Sequence, residues 1–186
     1  MVRLARISDI PRVQAIQRAN LFSRRGKSGK ATLEGRGFLL YATPRRSFAG
    51  FVNDRENNIF LVDGKNGKVL GYFLVHDMGM MLRKKPERWV SMIAAHGRVK
   101  KLLRKGRVAV TYQIAKEPSA EGSGKRLMRK MLAYAKGRGY CAIACQIASS
   151  PYRNARSEAL HRNFGFVPCG SHMEHGFGWH AWVKTL

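Results

Sequence analysis

The segment Ala115–Tyr140, AKEPSAEGSGKRLMRKMLAYAKGRGY, places Gly122, Ser123 and Gly124 at the mouth of an apolar stripe with helical spacing. The first turn of a helix carries unpaired backbone amides and the positive end of the dipole, and glycine lets a ligand approach the backbone closely. With Lys125 and Arg126 adding charge, the tripeptide is either a phosphate cradle or, on the plainer reading, only a turn. A second stretch, RRGKSGK, ends like a P-loop at Gly26, Lys27 and Ser28, but Leu21 stands where the leading glycine belongs, which excludes that motif.

Residues 83–107 offer a different chemistry, with ten Lys or Arg against one Glu. Arg83, Lys84, Lys85, Arg98, Lys100, Lys101, Arg104, Lys105 and Arg107 fit salt-sensitive contacts with phosphates. Trp89 in the same segment is of a type that stacks on bases. Helical spacing brings Arg98, Lys101 and Lys105 to one side and leaves Leu102 and Leu103 to pack inward. The plainer reading is a solvated helix face. The sequence carries no RNP motif or zinc finger, so any nucleic-acid contact is expected to be with backbone. Cys141, Cys145 and Cys169 lack CxxC spacing and read as reduced, mostly buried thiols, and no metal site is expected.

These residues need elements to hold them. The chain has 186 residues, 45% of them hydrophobic, enough for one domain with a substantial core spanning 1–186, with 83–107 as an insertion. Its net charge of +24 attracts polyanions whatever the fold. The charge is spread along the chain, which excludes a neutral domain carrying a basic tail. The amino terminus MVRLARISDIPRVQ lacks an apolar core and no run is long enough to span a bilayer, so the expected compartment is the cytoplasm or an equivalent reducing one.

VRLARI alternates like a half-buried strand, and SDIPRVQAIQRAN reads as a helix with Ser8 as N-cap and Pro11 in the first turn. LFSRRGKSGKATLEGRG is a polar loop, and TPRRSFAGFVN a short helix capped by Thr43. NIFLVDGKNGKVLGYFLVHD is a hairpin turning between Gly64 and Gly67. The basic segment is helical on both sides of Pro86. RVAVTYQIAK is a strand, and GKRLMRKMLAYAKG a helix burying Leu127, Met128, Met131, Leu132 and Ala135. YCAIACQIAS is a strand, NARSEALHRNFGF a helix stopping at Gly165, and two closing strands flank MEHG. The order predicts an α/β fold, a mixed sheet covered by helices.

NARSEALHRNFGFVPCG sets Asn154, Ser157, Leu160, His161 and Gly165-Phe166 at spacings that resemble the Gcn5-related N-acetyltransferase (GNAT) family. Together with QIAKEPSAEGSGKRLM, the resemblance extends over nearly the whole chain. It implies a mostly antiparallel central sheet, and acetyl-CoA as co-substrate in a cleft between RVAVTYQIAK and YCAIACQIAS. The pyrophosphate would meet the Gly122, Ser123, Gly124 and Lys125 turn, and pantetheine the backbone of Ile114, Ala115 and Lys116, with Asn154 and Ser157 beside it. Where GNATs often carry a tyrosine that protonates the leaving thiolate, this chain has His161, either as that acid or merely packed beside CoA. Glu117 and Glu34 are the candidate bases, or ordinary surface acids. The family's loop Gln or Arg is absent: one alignment puts Glu121 in its place, the other Ser119.

Two function classes follow. One is an acetyl-CoA-dependent N-acetyltransferase acting on an amine of a protein or small molecule. The other is a GNAT-fold RNA-binding or ribonucleoprotein component with little catalysis.

Overall fold

The computed structural model describes residues 1–22, 37–84 and 88–186, with Lys84 described by its backbone alone. The strands are β1 (Val2–Leu4), β2 (Asn58–Lys65), β3 (Lys68–Asp77), β4 (Arg107–Lys116), β5 (Tyr140–Ser150), β6 (Val167–Glu174) and β7 (Phe177–Thr185). The helices are α1 (Ile10–Asn20), α2 (Arg45–Asn53), α3 (Met78–Lys84), α4 (Arg88–Ala95), α5 (Gly97–Lys105), α6 (Ser123–Gly137) and α7 (Ala155–Asn163). This is the order the sequence predicts, with the basic helices inserted before the fourth strand.

The seven strands form one sheet in the order β1-β2-β3-β4-β5-β7-β6, and β4–β5 is its parallel pair. Parallel neighbours need a crossover, here α6. That helix buries Leu127, Met128, Met131 and Ala135 against Ile59, Phe73, Ile143 and Trp182 on one face of the sheet. On the other face α1 and α2 cover Phe60, Tyr72 and Leu74. The helices α3, α4 and α5 cover Val108, Val110, Ala142 and Ala144 there, through Met78, Val90, Ile93 and Val99.

Several local expectations change for identifiable reasons. Ser8 lies inside a short 3₁₀ turn, Ile7–Asp9, and the cap position before α1 falls to Asp9. Arg3 fixes that carboxylate through two 2.7 Å bonds. Thr43 is buried with its Oγ1 3.3 Å from Tyr112 Oη, so Pro44 occupies the cap position of α2. The β2–β3 turn is shifted to Asn66-Gly67, both at positive φ, and the register irregularity falls at Asp63/Gly64.

Candidate functional site

The parallel pairing of β4 and β5 stops at Val110 opposite Ala144, although both strands continue for six residues more. The backbones part there and open a cleft of about 610 Å³, with Thr111–Lys116 on one side and Cys145–Ala148 on the other. In the pairing of β4 with β3, Leu74 faces Gln113 and Val75 faces Thr111, so Tyr112 is the extra residue of a bulge at the mouth of the split. The sequence predicts Ile114, Ala115 and Lys116 on this strand, and all three line the cleft.

The first turn of α6 borders the same opening. Gly122, at φ 69°, occupies the cap position, a left-handed conformation that favours glycine. The amide of Ser123 donates to Ala120 O (3.4 Å) and that of Arg126 to Gly122 O (3.0 Å), while the amides of Gly124 and Lys125 have no backbone partner among the described residues. Gly122, Gly124 and Lys125 line the cleft. The Ser123 side chain does not: it is fully buried, and a Cβ added at Gly71 would lie 2.7 Å from its Oγ and 3.1 Å from Ala115 O. Gly71 therefore lets the start of α6 seat directly on β3, with the Ser123 side chain packed between them. Lys116 and Arg156 bring positive charge to the lining. Burial lowers the Lys116 pKa first, with the charge of nearby Arg156 adding to it and Glu121 opposing.

The lip of the cleft, residues 37–41, is tied down from three sides. Asn154 Nδ2 donates to Phe38 O (3.0 Å), Leu39 N to Asn20 O (2.8 Å) and Gln113 Nε2 to Tyr41 O (3.0 Å). Asn154 also caps α7, accepting from Ser157 N at 3.2 Å.

His161 lines the cleft, but its chemistry differs from the acid expected. Its Nδ1 donates to Ser157 O at 2.7 Å, its ring is 1% exposed, and its buried Nε2 has no partner among the described residues. Burial lowers its pKa to about 4, despite the opposing effect of the Ser157 bond. At neutral pH the ring is uncharged, with its proton committed to a backbone carbonyl. An imidazolium that protonates a thiolate does not fit. Glu117 is corrected more simply, since it pairs with Arg12 and lies 3.7 Å from Lys68, outside the cleft. Glu34 and Lys85 lie outside the described residues, as does the Lys84 side chain.

The carboxylate that does line the cleft is Glu174, which sequence reasoning misses. It precedes His175-Gly176, both at positive φ, and pairs with Phe177 across that two-residue turn. Tyr41, Trp89, Tyr112 and Trp179 line the same cleft. Burial, then the charge of Glu174, raises the Tyr41 pKa. The MEHG turn between two strands was the available signal, but nothing in it says where the acid points.

In the basic segment, Arg83, Arg98, Lys100, Lys101, Arg104 and Lys105 are exposed. Arg107 is not free for phosphate: it bonds Asp77 Oδ2 through Nη2 (2.9 Å) and Nε (3.0 Å), and its guanidinium lies 4.4 Å from the Tyr140 ring centre. Trp89 is half-buried beside Tyr112 in the cleft, so it lines a pocket rather than projecting toward a base. The three cysteines are free thiols, with Cys145 buried. Among the described residues there is no cluster of three or more His, Cys, Asp or Glu fit for a metal, and no helix long and apolar enough to cross a membrane.

The family model described as "Acetyltransferase (GNAT) family" matches residues 32–166. No curated protein matches. Among solved structures, the ribosomal-protein-alanine N-acetyltransferase of Brucella melitensis is 19% identical with a TM-score of 0.65, covering 100% of this chain and 99% of its own. The ribosomal-protein-S18-alanine N-acetyltransferase of Escherichia coli is 14% identical at TM-score 0.62, covering 100% and 92%. Arabidopsis thaliana NAA60 in complex with acetyl-CoA is 13% identical at TM-score 0.64, covering 100% and 98%.

Proposed function

The chain belongs to the GNAT acetyltransferase family, and we propose that it transfers an acetyl group from acetyl-CoA to a primary amine of a protein or small molecule. The observation that carries this reading is the meeting of two features in one opening: the parted edges of β4 and β5, and the amides of Gly124 and Lys125, which have no backbone partner among the described residues. The residues fit the co-substrate. The amides and the positive end of α6 suit a pyrophosphate, with Lys116, Lys125 and Arg156 offsetting its charge. Acetyl-CoA supplies the activated acyl group when bound. The chain orients it along β4, with Phe38 and Leu39 adding apolar surface to the lining.

Two structural neighbours are named for acting on ribosomal-protein alanines, which favours an amine on a ribonucleoprotein among protein acceptors. The test is incubation with acetyl-CoA and a set of peptide and small amines, with acetylation read by mass spectrometry. Transfer to none of them by enzyme that binds acetyl-CoA would contradict the reading.

A second reading accompanies the first, because α5 exposes Arg98, Lys100, Lys101, Arg104 and Lys105 while Val99, Leu102 and Leu103 anchor it to the sheet. None of the five cations has an ion-pair partner among the described residues. We propose that this face contacts RNA phosphates. Replacing Lys101, Arg104 and Lys105 by Gln should flatten the slope of log affinity against log salt by roughly two to three units. Arg107→Gln, already paired with Asp77, should leave the slope nearly unchanged. Equal flattening from Arg12, Arg18 and Arg45 replacements would mean a diffuse field instead of a site.

A further inference from the structure

In a protein of net charge +24, buried acids are in demand as partners for its cations. Asp9 pairs with Arg3, Asp63 with Arg126, Asp77 with Arg107 and Glu158 with Arg153. Glu174 breaks the pattern. Its side chain is 5% exposed, and among the described residues it has no Lys or Arg partner, only the exposed His175 ring at 3.9 Å. An ionised carboxylate taken out of water without a counter-charge is expensive, and such groups concentrate where a ligand supplies the missing charge. Glu174 is also the sole carboxylate lining the cleft among the described residues.

The surroundings define the ligand. Tyr41 lies close enough to feel the charge of Glu174, and Trp89 and Trp179 add aromatic surface to the same cleft lining, a composition that favours an organic cation. The Tyr41 and His175 rings, both on the lining, meet edge to face with centres 6.4 Å apart. The other charged groups on the lining, Lys116, Lys125 and Arg156, are cations, so a second positive charge on the ligand would meet repulsion instead of a partner.

We infer that Glu174 is the acceptor's binding and proton-accepting group, and that the acceptor is a primary amine carrying a single positive charge on an apolar or aromatic body, not a polyamine. This rests on the acetyltransferase reading above. The acceptor enters as R–NH₃⁺ and Glu174 takes one proton, freeing the nitrogen lone pair. The nitrogen bonds to the acetyl carbonyl carbon as the carbon–sulfur bond breaks. The second proton lost by nitrogen ends on the departing sulfur as CoA thiol, and Glu174 returns its proton to solvent. The products are R–NH–acetyl and free CoA.

The experiment has three arms on the full chain. Calorimetry with acetyl-CoA comes first, for the parent, Glu174→Gln and Glu174→Asp. Intrinsic tryptophan fluorescence then follows phenethylammonium binding to the CoA complex, using Trp89 and Trp179 as reporters. Thiol release compares phenethylamine with spermidine. The inference expects unchanged acetyl-CoA affinity in all three proteins and at least about tenfold weaker amine binding in Glu174→Gln. It also expects a loss of about a hundredfold or more in kcat/KM for that variant, partial rescue by Glu174→Asp, and phenethylamine preferred over spermidine. Full activity or undiminished amine binding in Glu174→Gln overturns it, and so does a preference for spermidine. Failure of the parent to bind acetyl-CoA removes the reading beneath it as well, and the first arm tells the two apart.

Discussion

Acidification from about pH 7.5 to 5 should destabilise the fold through its buried imidazoles. His161 and His76 titrate near 4 in the folded protein, because burial disfavours the charged ring. An unfolded histidine titrates near 6.5, so between about 4 and 6.5 the unfolded chain holds more protons than the folded one. Stability is therefore fully present above about pH 6.5 and falls as the pH drops, by about 1.36 kcal/mol per unit for each ring, or about 2 kcal/mol per ring by pH 5. His172, lowered by burial and by His96, acts in the same direction. For Asp9 and Asp63 burial is the largest effect and raises the pKa, but the bonds from Arg3 and the Arg6 amide at Asp9, those from Arg126 and Ser123 at Asp63, and the nearby positive charges together hold both carboxylates low, so their contribution is lost only below about 3.9. The interval from about pH 5 to 6.5 thus belongs to the histidines. Urea unfolding of the parent and of His161→Gln, followed by circular dichroism across that interval, measures the difference in slope. The variant should be shallower by up to about 1.36 kcal/mol per pH unit and should keep its acetyl transfer rate within about threefold. Identical slopes would refute the neutral, buried ring and reopen an imidazolium role.

Gly71→Ala should cost about 1–3 kcal/mol, because its Cβ meets the Ser123 hydroxyl at 2.7 Å and the Ala115 carbonyl at 3.1 Å. Adding Ser123→Ala should recover part of that loss, with a coupling of at least about 0.5 kcal/mol in a double-mutant cycle read by denaturant midpoint; strict additivity would argue against the contact. Glu117→Gln should leave kcat within about twofold of the parent, because that acid pairs with Arg12 outside the cleft. A hundredfold loss, the scale of a removed general base, would return Glu117 to the chemistry.

Local periodicity made most of the fold legible. The stripe from Leu127 to Ala135 is the buried face of α6, and RVAVTYQIAK is β4 residue for residue. What the sequence hid depends on contacts between distant segments. Ser8 and Asp9 are adjacent polar residues with equal claims to a cap, and Arg3 decides between them. Glu117 reads as a free acid until β3 and α1 bring Lys68 and Arg12 beside it. Arg107 belongs by composition to the basic run, but its place at the start of β4 sets it against Asp77 and Tyr140. Glu174 was invisible for the converse reason. A glutamate before a tight turn is ordinary, and its isolation from every lysine and arginine of the described chain exists only in three dimensions.

The central claim is that the parted strands and the opening turn of α6 form one acetyl-CoA site, and calorimetry on Gly124→Glu tests it most directly. Gly124 has room for a side chain, since an added Cβ meets only Leu160 Cδ2 at 3.6 Å, and glutamate is well tolerated in the first turn of a helix. The variant should therefore fold and differ chiefly by a negative charge placed against the pyrophosphate. The parent should bind one acetyl-CoA per chain, and Gly124→Glu, with an unaltered unfolding midpoint, should bind none detectably. Undiminished binding by the folded variant would contradict the account.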